Sequence, residues 1–504
     1  MTADGANQVK SQKLYRWLWI VAVVAALALR IVFVFTTSPN EGDSVMYEQL
    51  AANLRTTGIY GVVLDQKLPT PVDVRMPGYP IFLAGVTRVF GGGLLPQILV
   101  QVVLDVGTCL LAAALAAWIA PPEWRRRAAL VAMWLAVACP FLANYTAVAL
   151  TETLATFFTA MALVAMAAAC AGSEHLRWGR TAAGKAEDAP RNKFAALLLN
   201  RWFLGGLAVG LGTLVRPETP LILIALGLVL TWRWRRAADW GKLARVGAIT
   251  ALGFVIPLIP WTARNAIMLH EFQPITRTYI LLPGEIASRG FDAWTETWLV
   301  HYRDVYLTAW NIGDQPLNMS DLPASAFDSD DERARVAALY DEYDENCCDF
   351  TADWDAQFGE LARERAARHP LRTYLEIPFK RMFTMWFHPR TDLTDYSGEI
   401  WPPAEQYQQQ GAEDFIMSSL LFALAIFYSA LAFAGVLRAM GRRAAWPPGR
   451  LWAIAFLVLF CVTRTVFFSR GQEPEPRYML ECFPAVFALG AIFFAPRRKI
   501  AQRG

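Results

Sequence analysis

The fold of this chain turns on WLWIVAVVAALALRIVFVF (Trp17–Phe35) and the stretch that follows it, NEGDSVMY (Asn40–Tyr47). The first block is about as long as the roughly 20 residues that a helix needs to cross a bilayer. It follows Lys10, Lys13 and Arg16, as a signal peptide would, but no clean small-x-small cleavage site comes after it. We read it as a retained first helix. Acidic residues, Glu41 and Asp43, appear at once beyond its end. A spaced run of Ala51, Leu54, Gly58 and Tyr60 leads to Arg75-Met76-Pro77-Gly78-Tyr79-Pro80. A carboxylate fixed just outside a membrane span is a candidate base for a substrate that itself sits in the membrane.

Composition agrees with that start. The 504 residues are 55% hydrophobic and 18% charged, against roughly 25% charged in soluble chains. The class is an all-α polytopic membrane protein. A net charge of +3 gives no reason to expect nucleic acid as a partner. The seven Cys are an odd number, which argues against a fully paired disulfide framework, and five of them lie in apolar spans. Cys347-Cys348 is a vicinal pair in a polar region. No Cys-x-x-Cys or zinc-type His/Cys spacing is present.

The length rule predicts about ten crossings. They are Trp17–Phe35, Leu94–Ile119, Ala128–Leu142, Ala147–Ala169, Phe203–Leu214, Thr219–Trp232, Val246–Trp261, Phe415–Leu437, Leu451–Phe468 and Met479–Phe494. Met76–Phe90 is apolar but short and reads as an interfacial or re-entrant helix. Basic clusters at Arg125–Arg127, Arg177–Lys193, Arg233–Arg245, Arg438–Arg450 and Arg497–Lys499 all fall on one side of this arrangement, with the N-terminal Lys and Arg. The positive-inside rule makes that side cytoplasmic, with both termini. Five polar clusters then share the exoplasmic side: the Asn40 region, Tyr145–Glu152, Arg216-Pro217-Glu218, Thr262–Asp414 and Gln472–Tyr478. The expected organisation is a transmembrane module over 1–261 with a first exoplasmic loop at 37–93, a mainly helical exoplasmic region over 262–414, and transmembrane helices over 415–504. Within 262–414, Ser325–Tyr343 and Thr351–His369 read as helices, and Leu371–Phe387 as a helix lying in the interface.

Each candidate site residue has a structural reading beside its functional one. Asp43 is either a solvated anion at a helix start or a base. Glu152 either caps its span or works at the site, since an ionisable residue there is a functional candidate by default. Arg216 either pairs with Glu218 or Glu152 or holds a phosphate. Arg264, in Trp261-Thr262-Ala263-Arg264-Asn265, is an interfacial anchor or a phosphate contact. Arg477, beside Tyr478, and Arg75, four residues before Tyr79, carry the same pair of readings, because Arg grips phosphate in a planar fork. Phosphate-binding loops of the GxxxxGK[ST] and GxGxxG kinds are missing from the sequence, so ATP-driven transport is unsupported.

Taken in order, Asp43-Ser-x-x-Tyr47, Arg75-x-Pro-Gly-Tyr-Pro80, Gln101-x-x-x-Asp105, Leu150-Thr-Glu152, Arg216-Pro-Glu218, Pro260-Trp-x-x-Arg264-Asn265 and Arg477-Tyr478 resemble the integral-membrane GT-C glycosyltransferases. The pattern is most similar to dolichyl-phosphate-mannose protein mannosyltransferases and bacterial aminoarabinose transferases. The resemblance implies a GT-C helical bundle. It also implies inverting transfer from a polyprenyl-phosphate sugar to an acceptor at the exoplasmic face of a bacterial inner membrane; the placing of the polar bulk in Thr262–Asp414, a departure from the family, favours a lipid, glycan or cell-wall polymer over protein as that acceptor. It puts the base at Asp43, with Glu152 as second acid. It puts donor and substrate contacts at Arg75, Tyr79, Arg216, Glu218, Arg264, Arg477 and Tyr478. Some members bind a divalent cation, Mg or Mn; here Glu41 and Asp43 are the two carboxylates available, and no cofactor is expected with certainty. A transporter or flippase of lipid-linked sugars, and a polysaccharide polymerase or ligase, are the competing readings.

Overall fold

The computed structural model describes residues 3–38, 42–64, 68–172, 197–236, 239–277, 286–313, 315–346, 348–441, 443 and 446–495. Glu41 and Cys347, and with them two expectations above, lie outside the described residues. Helices underlie all ten expected spans, but Ala128–Leu142 is broken at 138–139, and in Ala147–Ala169 residues 148–151 are bends and the long helix begins only at Glu152. Seven are long and apolar enough to cross a membrane: Gln12–Thr36, Leu94–Ile119, Glu152–Gly172, Trp240–Met268, Ala412–Met440, Pro448–Ser469 and Pro476–Phe493. The segment Pro122–Val137 plus Pro140–Ala147 makes an eighth if its 60° bend is counted within one span. The remaining two are the 13-residue helices Arg201–Thr213 and Leu221–Arg233. At 1.5 Å per residue each is about 20 Å long, short of a hydrocarbon core of about 30 Å.

The bend has a local cause. Pro140 has no N–H to give the preceding turn, and its ring crowds that turn's backbone. The carbonyls left at the break are taken up by Arg30, which reaches over from the first span. It donates to Val137 O at 3.0 Å and Ala136 O at 3.3 Å. Its charge is balanced by Asp105, 2.7 Å away, and both side chains are buried. Elsewhere helices touch through glycine. A Cβ on Gly206 would meet Thr250 O at 2.1 Å, and one on Gly253 would meet Phe203 O at 2.3 Å. Small residues let helix backbones approach this closely in membranes.

The first loop is itself folded. Helix Ser44–Thr57 ends at Gly58, whose φ of 75° suits glycine. A two-residue antiparallel ladder pairs Gly61–Val62 with Thr70–Pro71. Helix Gly78–Phe90 follows. Leu50, Tyr60, Val62, Val72, Val74 and Met76 pack against Trp261, which seats this loop on the end of helix Trp240–Met268.

The polar region carries helices Asp330–Glu345 and Ala352–Arg368, close to the two expected there. Ser329 and Thr351 cap them through hydrogen bonds from the third helical N–H, on Glu332 and Trp354. Their core is aromatic: Phe291, Trp294, Trp298, Tyr343, Trp354 and Phe358. Leu371–Phe387 is a π-turn followed by helix Ile377–Phe387. Phe379 and Phe383 lie exposed on this helix, while Arg381 is buried and donates to Leu299 O and Gly471 O, both at 2.7 Å. One helix thereby ties the polar region to the end of helix Pro448–Ser469.

Candidate active site

Four separate pieces of chain deliver charge to one end of the bundle. Glu152 is the first residue of helix Glu152–Gly172, where the helix dipole favours an anion. Arg216 and Glu218 occupy the break between helices Arg201–Thr213 and Leu221–Arg233. Arg464 projects from Pro448–Ser469. Glu475, Arg477, Tyr478 and Glu481 come from the turn opening the last span. Arg216 Nη1 lies 3.2 Å from Glu152 Oε1, and Arg216 Nε lies 2.9 Å from Glu218 Oε1. Arg464 Nη2 lies 2.6 Å from Glu481 Oε1 and 3.5 Å from Glu218 Oε1. Thr159 donates to the other Glu481 oxygen at 2.8 Å. Arg477 pairs with Glu475 and approaches Glu152 Oε1 at 3.8 Å. The Tyr478 hydroxyl donates to Glu475 at 2.6 Å, and its ring lies 5.3 Å from the Arg216 guanidinium carbon.

The network holds three guanidinium groups and four carboxylates, so it carries one negative charge in excess. Four of its polar atoms are buried without a hydrogen-bond partner: Glu475 Oε2 and Arg477 Nε, which face each other as an ion pair, and Glu152 Oε2 and Arg464 Nη1, which do not. Buried polar groups are nearly always paired, so Glu152 Oε2 and Arg464 Nη1 stand out as an acceptor and a donor without partners.

Asp43 and Arg75 form a second centre. Asp43 precedes helix Ser44–Thr57 but makes no side-chain capping bond to it. Its carboxylate turns instead to Arg75, with Oδ1 2.6 Å from Nη2, and the two side chains are 39% and 15% exposed. The motif around Arg75 explains how it is held. The Tyr60 hydroxyl donates to Arg75 O at 2.9 Å. Gly78 N donates to Leu214 O at 2.6 Å, and a Cβ on Gly78 would lie 2.5 Å from that oxygen. The position therefore requires glycine. Tyr79 donates to Gln101 Oε1 at 2.8 Å, and Gln101 Nε2 donates to Val148 O at 2.8 Å, just before Glu152. Tyr79 thus fastens the two loops together through its hydroxyl.

Tyr47 stands between the two centres, edge-on to Tyr79 with ring centroids 5.2 Å apart. Burial pushes its phenol up to about 12; the Asp43 and Glu152 charges add to that, and Arg75 and Arg216 oppose it. One buried side chain therefore lies in the field of both ion-paired groups.

Arg264 is placed apart from both. It donates to Val72 O at 2.9 Å and to Tyr60 O, holding the first-loop hairpin. Arg464, Glu475 and Glu481 were not singled out from sequence. Arg464 and Glu481 lie inside apolar spans, where the rule that an intramembrane ionisable residue is a functional candidate would have found them. Nearer the polar region, Glu473 accepts from Trp310 Nε1 at 3.3 Å. Burial, then the neighbouring Glu475 charge, pushes Glu473 up to about 7, against the pull of the Trp310 hydrogen bond.

A divalent ion at Asp43 would need several more oxygen donors. Among the described residues no group of three or more His, Cys, Asp or Glu side chains is placed to hold a metal, and the charge facing Asp43 is a guanidinium.

No protein-family model matches the sequence, and a search of curated proteins finds no match. Solved structures do match. The archaeal oligosaccharyltransferase AglB from Archaeoglobus fulgidus, in complex with an inhibitory peptide and a dolichol-phosphate, superposes with a TM-score of 0.50 at 13% identity, covering 95% of this chain and 50% of that one. The apo form of the Archaeoglobus fulgidus oligosaccharyltransferase gives 0.48 at 14% identity, covering 95% and 50%. ArnT from Cupriavidus metallidurans bound to undecaprenyl phosphate gives 0.38 at 14% identity, covering 90% and 77%. The fold is a helical bundle like that of the archaeal oligosaccharyltransferase, with several helices long and apolar enough to cross a membrane. The chain spans about half the length of the archaeal enzyme.

Proposed function

We propose that the chain is an inverting glycosyltransferase. It takes a sugar from a polyprenyl-phosphate donor and passes it to a lipid, glycan or cell-wall acceptor at the exoplasmic face, with both termini cytoplasmic. The observation that carries this reading is that a half-exposed carboxylate, Asp43, held by Arg75, and a buried network of three arginines and four glutamates flank the same buried tyrosine, Tyr47, with unpartnered atoms at Glu152 and Arg464. The fold shared with an enzyme solved with dolichol-phosphate supports it.

In this mechanism Asp43 accepts the proton of the acceptor hydroxyl or amine. The freed lone pair attacks the anomeric carbon from the side opposite the phosphate. The anomeric C–O bond breaks, and its electron pair stays on the lipid phosphate. A phosphate leaving group already carries charge well, so it needs cations more than an acid. Arg477, Arg216 and the free Nη1 of Arg464 supply them in a dry setting where such groups act strongly. Arg75 holds Asp43 aimed. Glu152, free on Oε2, positions the acceptor. One displacement gives inversion, with no covalent glycosyl-enzyme.

The test is mass spectrometry of lipid that copurifies with the protein, followed by turnover of the same lipid in proteoliposomes. A polyprenyl-phosphate hexose that is consumed, releasing polyprenyl phosphate, is the expected result. Movement of that lipid across the bilayer with its sugar bond intact would replace this reading with the flippase one. An oligosaccharide on a diphosphate would point to a polymerase or ligase.

A further inference from the structure

Beside the arginine-rich centre the polar region presents an aromatic surface that the mechanism does not use. Tyr302, Tyr306 and Trp310 are spaced by four and share one side of a short helical segment. That segment passes through a π-turn, Val305–Ala309, closed by Trp310 N to Val305 O at 3.1 Å. Turns of this kind concentrate at functional sites. Tyr302 is the inner ring. Its centroid lies 5.8 Å from those of both Tyr306 and Trp310, at steep angles. It props the other two outward, where they are 41% and 40% exposed.

Trp310 is fixed on two further sides. Its indole N–H is held by Glu473, and the Arg477 guanidinium carbon lies 5.8 Å from its ring. The same guanidinium approaches Glu152 Oε1 at 3.8 Å. One side chain therefore links the ring to the carboxylate with the spare oxygen. Arg303 and Glu399 lie near enough to Tyr306 for their opposite charges both to act on its hydroxyl. A tryptophan serving as a membrane anchor would face lipid; this one faces ions.

We infer that Tyr306 and Trp310 form a platform for a pyranose ring of a glycan acceptor. A pyranose has an apolar face of C–H bonds and a rim of hydroxyls. Rigid aromatic faces take the first, and carboxylate and guanidinium groups take the second. The platform holds the acceptor beside Glu152. The inference rests on the transferase reading and narrows its acceptor to a glycan.

The experiment is saturation-transfer difference NMR on the full chain in lipid nanodiscs, without donor. The probes are methyl glycosides of glucose, mannose, galactose and N-acetylglucosamine. At least one should receive saturation at its ring protons from the wild type. Trp310→Ala should cut that signal about tenfold, the effect of losing roughly 1.4 kcal/mol. Trp310→Phe should keep most of it, and Tyr306→Ala should weaken it. Equal saturation in wild type and Trp310→Ala, or none from any of the four sugars, would overturn the platform. Copurifying polyprenyl phosphate, measured on the same preparations, should be unchanged in Trp310→Ala. Its absence from the wild type would count against the transferase reading and leave the sugar result standing.

Discussion

The two charged centres of this molecule are built in opposite ways. Asp43–Arg75 is a single pair at the edge of a folded loop, with the carboxylate side chain 39% exposed. The centre around Arg216 joins residues from four separated segments, and Arg464 within it is fully buried. Desolvated charges cost several kcal/mol each and survive only when neighbours satisfy them. The buried centre must therefore be complete for the chain to fold, and it arrives at the reaction already organised. A pair whose carboxylate side is open to water is worth less, on the order of 1 kcal/mol. It can open and close during turnover, as a group that exchanges protons with an acceptor must.

That contrast can be broken by substitution. Arg464→Met leaves Glu481 and Glu218 short of a cation in the interior. It should cost roughly 3–5 kcal/mol, read as a collapse of thermal stability or yield in detergent. Adding Glu481→Leu should return much of the loss; if it does not, the pairing is not what the centre needs. Arg75→Gln should behave differently. Stability should change by less than about 1 kcal/mol, while turnover falls about tenfold as Asp43 loses its aim. A large stability loss there would erase the distinction between the two centres.

The smallest effect concerns Glu473, beside the buried centre. Its folded pKa of about 7 lies above the ordinary carboxyl value. A raised carboxyl contributes stability at low pH that is lost as pH climbs through the folded pKa. The Tm of Glu473→Gln relative to wild type should therefore rise between pH 5 and pH 8, by about 1 °C for each 1 kcal/mol lost in a chain of this size. A gap that stays constant with pH would mean the carboxyl is not buried as described.

Sequence reading located the exposed centre better than the buried one. Asp43 and Arg75 sit in polar sequence just outside apolar blocks, and Gly78 and Tyr79 mark the turn that holds them. Their contact with each other spans 32 residues. It depends on the first-loop hairpin and on Gly78 meeting Leu214, which no local pattern encodes. Glu152, Arg216 and Arg477 were visible because each lies at a span end. Arg464 and Glu481 were not, because a window of about 20 residues dilutes one ion among many apolar neighbours. Arg30 and Asp105 escaped as a pair for the same reason. Arg264 donates to its own first loop, and in sequence an arginine after an aromatic span end looks alike whether it holds phosphate or that loop. Helix ends were legible where capping chemistry was explicit, as at Thr351.

The central claim is that Asp43 takes the acceptor's proton, and one variant addresses it directly. Asp43→Asn keeps the shape and a hydrogen bond to Arg75 but cannot accept a proton at neutral pH. With wild-type expression and copurifying lipid, transfer from a radiolabelled polyprenyl-phosphate sugar in proteoliposomes should fall about 10²–10⁴-fold. Transfer at the wild-type rate by this variant would contradict the account.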